Sequence, residues 1–164
     1  THIKDAYLAA IATAETSITL MNPYISDSDI FDALKEASQR GVNVTMLLPH
    51  NNDYKVVERS MRSRYQELSQ AGIHVYEYAG KTHTHGKVAV FDHKVCTIGT
   101  SNLDRLSLEY NDEVNLWVDN AATSEKLESV LMADTEKSIS MKDYRPTIPT
   151  GVINTVSDWM LAGL

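Results

Sequence analysis

The stretch His85-Gly86-Lys87-Val88-Ala89-Val90-Phe91-Asp92 decides how this sequence folds and where its chemistry lies. The run from Lys87 to Phe91 predicts a strand, and Val95 to Ile98 predicts another strand after the short turn Asp92-His93-Lys94. Together they predict an antiparallel hairpin. Residues two apart share one face of a strand, so His85 and Lys87 should present an imidazole and an ammonium side by side.

Upstream of this hairpin, the sequence alternates between helical and strand patterns. It predicts strands over 17–21, 42–48 and 73–78, and helices over 4–13, from the caps Ser28 and Asp29 to Gly41, and from Val56 to Gly72. Such alternation is typical of parallel strands joined by crossover helices. Downstream, a strand is predicted over 113–118, and helices over 124–138 and 152–160. The fold class is therefore mixed α/β, with helices covering a mainly buried sheet.

The composition limits the classes of function. The 164 residues, 43% of them hydrophobic, fit one globular domain. Fifteen basic and 22 acidic residues give a net charge of −7, so no stable nucleic-acid partner is expected. The single cysteine, Cys96, excludes an internal disulfide. No apolar run reaches the length of a membrane span, so the piece is expected to be soluble. Because it begins Thr1-His2 without Met, an upstream part is expected to have been removed.

Five residues of the region 85–113 can together act on a phosphate ester. Neutral His85 can attack phosphorus, and the Lys87 cation can stabilise the negative charge of the pentavalent transition state. Glu113, on a neighbouring strand, can orient the His85 ring, as the acid of a hydrolase triad does. Thr100 and Asn102 follow a glycine at a strand end and can donate hydrogen bonds to phosphate oxygens.

Asp92 completes the spacing His-x-Lys-x4-Asp and is grouped with the candidate catalytic residues, but it lies at the hairpin turn with the opposite parity to His85. It is therefore interpreted as mainly structural, capping the turn by accepting backbone N–H bonds. His83 and His85 could ligate zinc, but a zinc site needs three or four ligands and no further cluster supplies them. Neither a metal nor another cofactor is expected.

The run from His85 to Glu113 resembles the signature of the phospholipase D superfamily, His-x-Lys-x4-Asp-x6-Gly-Ser-x-Asn with a downstream Glu, known as the HKD motif. Thr100 stands where Ser is usual, which keeps the hydroxyl. More of the chain is similar to the C-terminal catalytic half of bacterial cardiolipin synthases. The similar stretches are 21–25, 40–44, 47–49, 71–78 and 101–105, whereas Leu106 departs from the usual Asp-Pro-Arg-Ser or Asp-Arg-Arg-Ser.

The resemblance implies a phospholipase D-like mixed β-sheet flanked by helices on both faces, as a single domain over residues 1–164. It also implies a phosphatidyl-transferring or hydrolysing enzyme that acts through a phosphohistidine. In the family two HKD motifs face each other, one histidine attacking phosphorus and the other protonating the leaving alcohol. The chain holds one motif, because His2-Ile3-Lys4 lacks the following Asp and Gly-Ser-x-Asn. The second motif must come from a missing N-terminal half or a homodimer mate.

The expected substrate is a phospholipid like phosphatidylglycerol, handled at the cytoplasmic side of the membrane by a protein that is peripheral or tethered through missing N-terminal segments. Peripheral membrane contact is possible for the C-terminal Trp159 and Met160, although core packing is the simpler interpretation. Two alternatives stay open. One is a homodimeric phosphodiesterase or nuclease with one motif per chain, and the other is a non-catalytic interaction domain that keeps the fold.

Overall fold

The computed structural model describes residues 2–51, 55–80 and 84–145. Seven strands and four α-helices are found in these ranges, with one π-helical turn. In chain order they are α1 His2–Thr13, β1 Ser17–Met21, α2 Ser28–Gln39, β2 Asn43–Pro49, α3 Lys55–Gln70, β3 His74–Tyr78, β4 Val88–Phe91, β5 Val95–Gly99, the π-helical turn Leu106–Tyr110, β6 Asn115–Asp119, α4 Ala121–Thr135 and β7 Ser138–Ser140.

All seven strands form one mixed sheet in the order β6-β5-β4-β1-β2-β3-β7. Strands β1, β2 and β3 are parallel, whereas β4 runs antiparallel to β1 with Met21 opposite Val88. The β4–β5 hairpin turns through Asp92 and His93, whose φ angles of 51° and 59° are those of a type I′ turn. The predicted parallel strands and the predicted antiparallel hairpin are confirmed. The carboxyl ends of β1 and β5 meet the amino ends of β4 and β6 at one edge of the sheet.

Helices cover both faces of the sheet, as predicted. Alternate strand residues, including Ile18, Val44 and Ala89, point to the face packed by α1, α2 and α3. The opposite face, with Met21, Leu47, Val90 and Cys96, packs against Leu131 of α4. Each fully buried Leu, Ile, Val or Phe contributes about 1.5–3 kcal/mol, so the two apolar layers hold the central strands rigidly beneath their polar ends.

Several predicted boundaries were wrong. Asp27, rather than Ser28 or Asp29, caps α2, because its carboxylate accepts from the backbone N–H groups of Asp29 and Ile30. The predicted helix over 124–138 instead runs from 121 to 135, and Ser138 opens β7, which pairs with β3. The predicted helix over 152–160 lies outside the described residues. No helix within the described ranges is long and apolar enough to cross a bilayer.

Asp92 braces the segment between α1 and β1 instead of capping its own turn. Its carboxylate accepts from the backbone N–H groups of Glu15, Thr16 and Ser17 at 2.7–3.1 Å, and from the Thr16 hydroxyl at 2.9 Å. Burial opposes ionisation of this carboxyl, but the bonds from Ser17, Thr16 and Glu15 outweigh it and lower the pKa of Asp92 to about 2.

We expect Asp92→Asn to remove an acid-sensitive part of the stability. Because the folded pKa of Asp92 lies below the ordinary value of 3.8, its ionised form stabilises the fold above pH ~4, and this is lost as pH falls toward ~2. Urea unfolding should therefore show a loss of about 1–2 kcal/mol near neutral pH and a flatter acid limb. Asn tolerates the positive φ, so backbone strain does not contribute. Asp112→Asn, at an exposed position, is the matched control, and an acid limb unchanged from wild type in Asp92→Asn would contradict the brace.

Candidate active site

The candidate site lies where four strand ends meet at one edge of the sheet. The backbone N–H of Gly99 donates to the carbonyl of Lys87 at 3.0 Å, which joins the end of β5 to the start of β4. The Thr100 N–H donates to the Val114 carbonyl at 2.9 Å and draws the segment before β6 alongside. The buried side chain of Asn22, just after β1, donates to the Ser101 carbonyl at 3.2 Å. These backbone ties fix the polar residues that follow each strand.

His85 and Lys87 are in direct contact, although both precede β4 rather than lying within it. The Lys87 Nζ is 2.8 Å from His85 Nδ1 and donates to the His85 carbonyl at 3.1 Å. Because a charged ammonium can only donate, Nδ1 accepts and a neutral His85 ring then carries its proton on Nε2. His85 is exposed, and its ring meets the Tyr24 ring edge-on at 6.1 Å.

Lys87 is a buried cation. It is 9% exposed, and this burial lowers its pKa, while the negative charges of Glu113 and Asp104 act in the opposite direction. A desolvated ammonium held near two carboxylates interacts strongly with any further anion, because little water screens it. Lys87 is thus placed to attract a phosphate oxygen to the side of His85.

Glu113 and Thr100 form a pair at the entrance to β6. The Thr100 hydroxyl donates to the Glu113 carboxylate and accepts from the Val114 N–H at 3.0 Å. The structure therefore gives Thr100 a partner within the protein, whereas the sequence predicted that its hydroxyl donates to phosphate. Glu113 also acts on Lys87 through its charge, so the structure places the Thr100–Glu113 pair near the contact between His85 and Lys87.

Asp104 is the second carboxylate whose charge acts on Lys87. Burial raises the pKa of the Asp104 carboxyl, against the opposing effects of the Ser107 backbone N–H and of the Asn102 side chain. The Oδ1 atom of Asn102 is buried and has no hydrogen-bond partner among the described residues. Sequence reasoning missed Asp104 and Tyr24 as site residues, although both lie in stretches that follow strand ends, Ser101-Asn102-Leu103-Asp104 and Asn22-Pro23-Tyr24.

Asp92 does not belong to this site. It follows β4 whereas Lys87 precedes it, and five residues of extended chain place the two roughly 15 Å apart. The structure thus does not bring Asp92 to His85 and Lys87, and its bonds to residues 15–17 agree with its interpretation as a structural residue. His83, the other half of the considered zinc pair, lies outside the described residues.

Comparison with known proteins shows to which family the chain belongs. A family model described as cardiolipin synthase, phospholipase D-like domain, matches residues 7–135. The cardiolipin synthase of Alkalihalophilus pseudofirmus is 38% identical over 136 residues, which cover 82% of this chain and 27% of that protein. Cardiolipin synthase 2 of Bacillus anthracis is 39% identical over 137 residues, which cover 83% and 26%. The chain thus spans about a quarter of the length of these relatives.

The fold also matches solved structures. Nuc from Salmonella typhimurium, a phospholipase D family member, superposes with a TM-score of 0.76 at 21% identity, over 84% of this chain and 89% of Nuc. NucT from Helicobacter pylori gives a TM-score of 0.70 at 23% identity, over 85% and 91%. These likenesses show the fold, while the family model and the curated relatives show the family. The chain belongs to the phospholipase D-like domain family of the cardiolipin synthases.

Proposed function

We propose that this domain is one catalytic half of a cardiolipin synthase-like enzyme that transfers or hydrolyses phosphatidyl groups. The contact of 2.8 Å between Lys87 Nζ and His85 Nδ1 carries the proposal, because it places a buried cation beside an exposed imidazole. The identity of more than a third with cardiolipin synthases supports the lipid substrate, and the net charge of −7 disfavours a nucleic acid.

The reaction begins when Lys87 exchanges its bond to His85 for a bond to a phosphate oxygen. One ring nitrogen of His85 then attacks phosphorus, and the P–O bond to the leaving alcohol breaks. Lys87 stabilises the extra negative charge, and a second histidine gives its proton to the leaving alkoxide. An acceptor alcohol or water then attacks the phosphorus, the P–N bond to the histidine breaks, and the proton of the acceptor returns to the second histidine. His85 can fill either histidine role.

Glu113 and Asn102 complete the proposed roles. Glu113 lies near Lys87 and is held by Thr100, so it can take up the His85 ring N–H once Lys87 has moved to phosphate. Asn102 donates a hydrogen bond from one N–H of its amide to a phosphate oxygen of the substrate, while the amide stays near Asp104. Thr100 holds Glu113 and thereby influences Lys87 beside the phosphate. Its hydroxyl donates directly to a phosphate oxygen once its bond to Glu113 breaks. No metal or cofactor is required by these steps.

The second histidine comes either from another HKD half of the same parent chain or from a homodimer mate. The relatives, about four times longer than the matched region, favour the first arrangement. A phospholipid substrate would bring the enzyme to a membrane surface, peripherally or through other segments of the parent. A homodimeric phosphodiesterase remains the second candidate, because Nuc matches over 89% of its own length with one such domain.

Trapping the covalent intermediate tests the proposal. The complete enzyme, incubated with labelled phosphatidylglycerol and quenched in alkali, should carry acid-labile label on His85 or on the histidine of the second motif. Labelled single-stranded DNA serves as the competing substrate. Turnover of the lipid with label on either histidine supports the proposal. Turnover of DNA alone favours the phosphodiesterase, and absence of both reactions in the complete enzyme favours a non-catalytic domain.

A further inference from the structure

A polar cavity lies at the sheet end opposite to His85. It has a volume of about 500 Å³, is open to solvent on one side, and is lined by residues of β1, β2, the β4–β5 turn and α4. Its floor holds Ser17 and Thr19 of β1 beside their register partners Asn43 and Thr45 of β2. The apolar sheet face under α4 is therefore replaced here by hydroxyl and amide groups, which neither the core nor the proposed phosphodiester chemistry requires.

Three side chains of this cavity form a hydrogen-bonded relay. The Ser17 Oγ lies 3.2 Å from His93 Nε2, and the other ring nitrogen, Nδ1, is bonded to the Glu128 carboxylate. Ser17 and Glu128 are almost buried, whereas the His93 side chain is 52% exposed. A nucleophile, a base and a carboxylate that orients the base are the three parts of an activated serine.

The other contacts of Glu128 fix how protons are arranged in this relay. The Thr19 hydroxyl donates to the second oxygen of Glu128 at 2.8 Å. Glu128 therefore acts as an acceptor on both oxygens, so His93 Nδ1 donates and Nε2 of the neutral ring is left to accept from Ser17. This is the tautomer in which an imidazole can take the serine proton.

The backbone of the turn keeps the ring in place. His93 has a φ of 59°, and the preceding Asp92 anchors the turn to residues 15–17, next to Ser17 itself. The hydrogen bonds of the Asp92 carboxylate thus hold the His93 imidazole next to β1, the strand that carries Ser17. Serine, histidine and glutamate come from three separate elements, β1, the β4–β5 turn and α4.

We propose that Ser17, His93 and Glu128 form a second reactive site, in which Ser17 is acylated by small polar esters. The Ser17 Oγ–H proton passes to His93 Nε2 as Oγ bonds to the ester carbonyl carbon. The tetrahedral anion collapses by breaking the bond to the leaving alkoxide, which receives the proton from His93. Water then hydrolyses the acyl-serine by the same steps, delivering a carboxylic acid. No metal, oxidant or further co-reactant is needed.

The structure also indicates that this site is slow. The backbone N–H groups of Glu15, Thr16 and Ser17 are occupied by the Asp92 carboxylate. The oxyanion must then be stabilised by side chains of the floor, such as Asn43 and Thr45. Loss of one oxyanion donor slows an acyl transfer by about 10²–10³-fold, so stoichiometric acylation is a better readout than turnover.

Acylation by 4-nitrophenyl acetate, located by peptide mass spectrometry, tests the proposal. We expect one acetyl group on Ser17, none at that position in Ser17→Ala, and acylation of Ser17 slowed by about 10²-fold or more in His93→Asn. Asn tolerates the positive φ of residue 93 and cannot act as the base, so this variant should fold.

Two matched variants separate this site from its surroundings. Ser140→Ala removes an exposed strand serine, and His85→Ala removes the imidazole of the phosphodiester site; both should acylate at Ser17 as wild type does. A protein acetylated only at lysines, at His85 or at other serines overturns the proposal. It is equally overturned if Ser17 of His93→Asn is acylated at the wild-type rate, since Ser17 would then be merely accessible.

Discussion

Replacement of His85 by alanine is expected to lower kcat for phosphatidyl transfer or hydrolysis by about 10⁴-fold or more in the complete enzyme. In the proposed mechanism each histidine of the pair performs a step that no neighbouring group can take over, and this is why the loss is expected. Lys87 would keep its place and still bind phosphate, so KM should change far less than kcat. The melting temperature should be close to that of the wild type, because His85 is exposed.

His74→Ala is the matched control for this variant. His74 is an exposed imidazole at the start of β3, and its removal should leave kcat unchanged. Retained turnover in His85→Ala would refute the catalytic role, whereas a fall in KM together with kcat would move His85 from chemistry to substrate positioning. Measuring both constants on the same lipid vesicles distinguishes these outcomes.

Local patterns in the sequence predicted the backbone of the site well. Alternating strand and helix patterns predicted the parallel strands, and a turn between two β-branched runs predicted the hairpin that begins just after Lys87. Each of these depends on neighbours in the chain, where propensity and periodicity act. His85, Lys87 and Glu113 lie near each other because the starts of β4 and β6 are at the same edge of the sheet.

Side-chain partners far apart in sequence could not be predicted in the same way. The sequence assigned Thr100 to phosphate, yet its hydroxyl donates to Glu113, because the segment before β6 returns beside the end of β5. Asp92 is bonded to Glu15 and Thr16, which are 77 and 76 positions away in sequence. Ser17 and His93 are likewise 76 positions apart. Such pairings depend on the register of the sheet, which periodicity does not define.

A third polar cluster stabilises the carboxyl ends of β2 and β3. Glu77 is 1% exposed and accepts from Arg62 at 2.7 Å through both Nε and Nη2, from the Tyr65 hydroxyl at 3.0 Å, and is bonded to His50 Nδ1 at 2.7 Å. The hydrogen bonds and charge of Glu77 raise the pKa of Arg62, against the effect of burial. The β2 end and α3 are thus joined through one carboxylate.

Glu77→Gln should destabilise the protein by about 3–5 kcal/mol, the largest loss expected from a single substitution here. The amide keeps the shape of the carboxylate and its oxygen can accept one bond from Arg62, but the charge and the second acceptor are lost, and the other bonds of Arg62 go to Glu58 and the His50 carbonyl. Urea unfolding measures the loss. Glu67→Gln, which breaks an exposed pair with Lys35, is the control and should change stability by at most about 1 kcal/mol.

Removing both charges distinguishes a stabilising ion pair from a penalty for an unpaired ion. A single Glu77→Met leaves the Arg62 guanidinium partly buried with fewer acceptors, whereas Glu77→Met with Arg62→Met removes the charge that needs a partner. If the loss in Glu77→Gln arises from an uncompensated charge, the double variant should recover at least half of it, because apolar groups of similar volume often replace a buried pair without loss. A double variant as unstable as the sum of both single variants would show that Arg62 and Glu77 act separately, and that packing rather than charge holds β2 to α3.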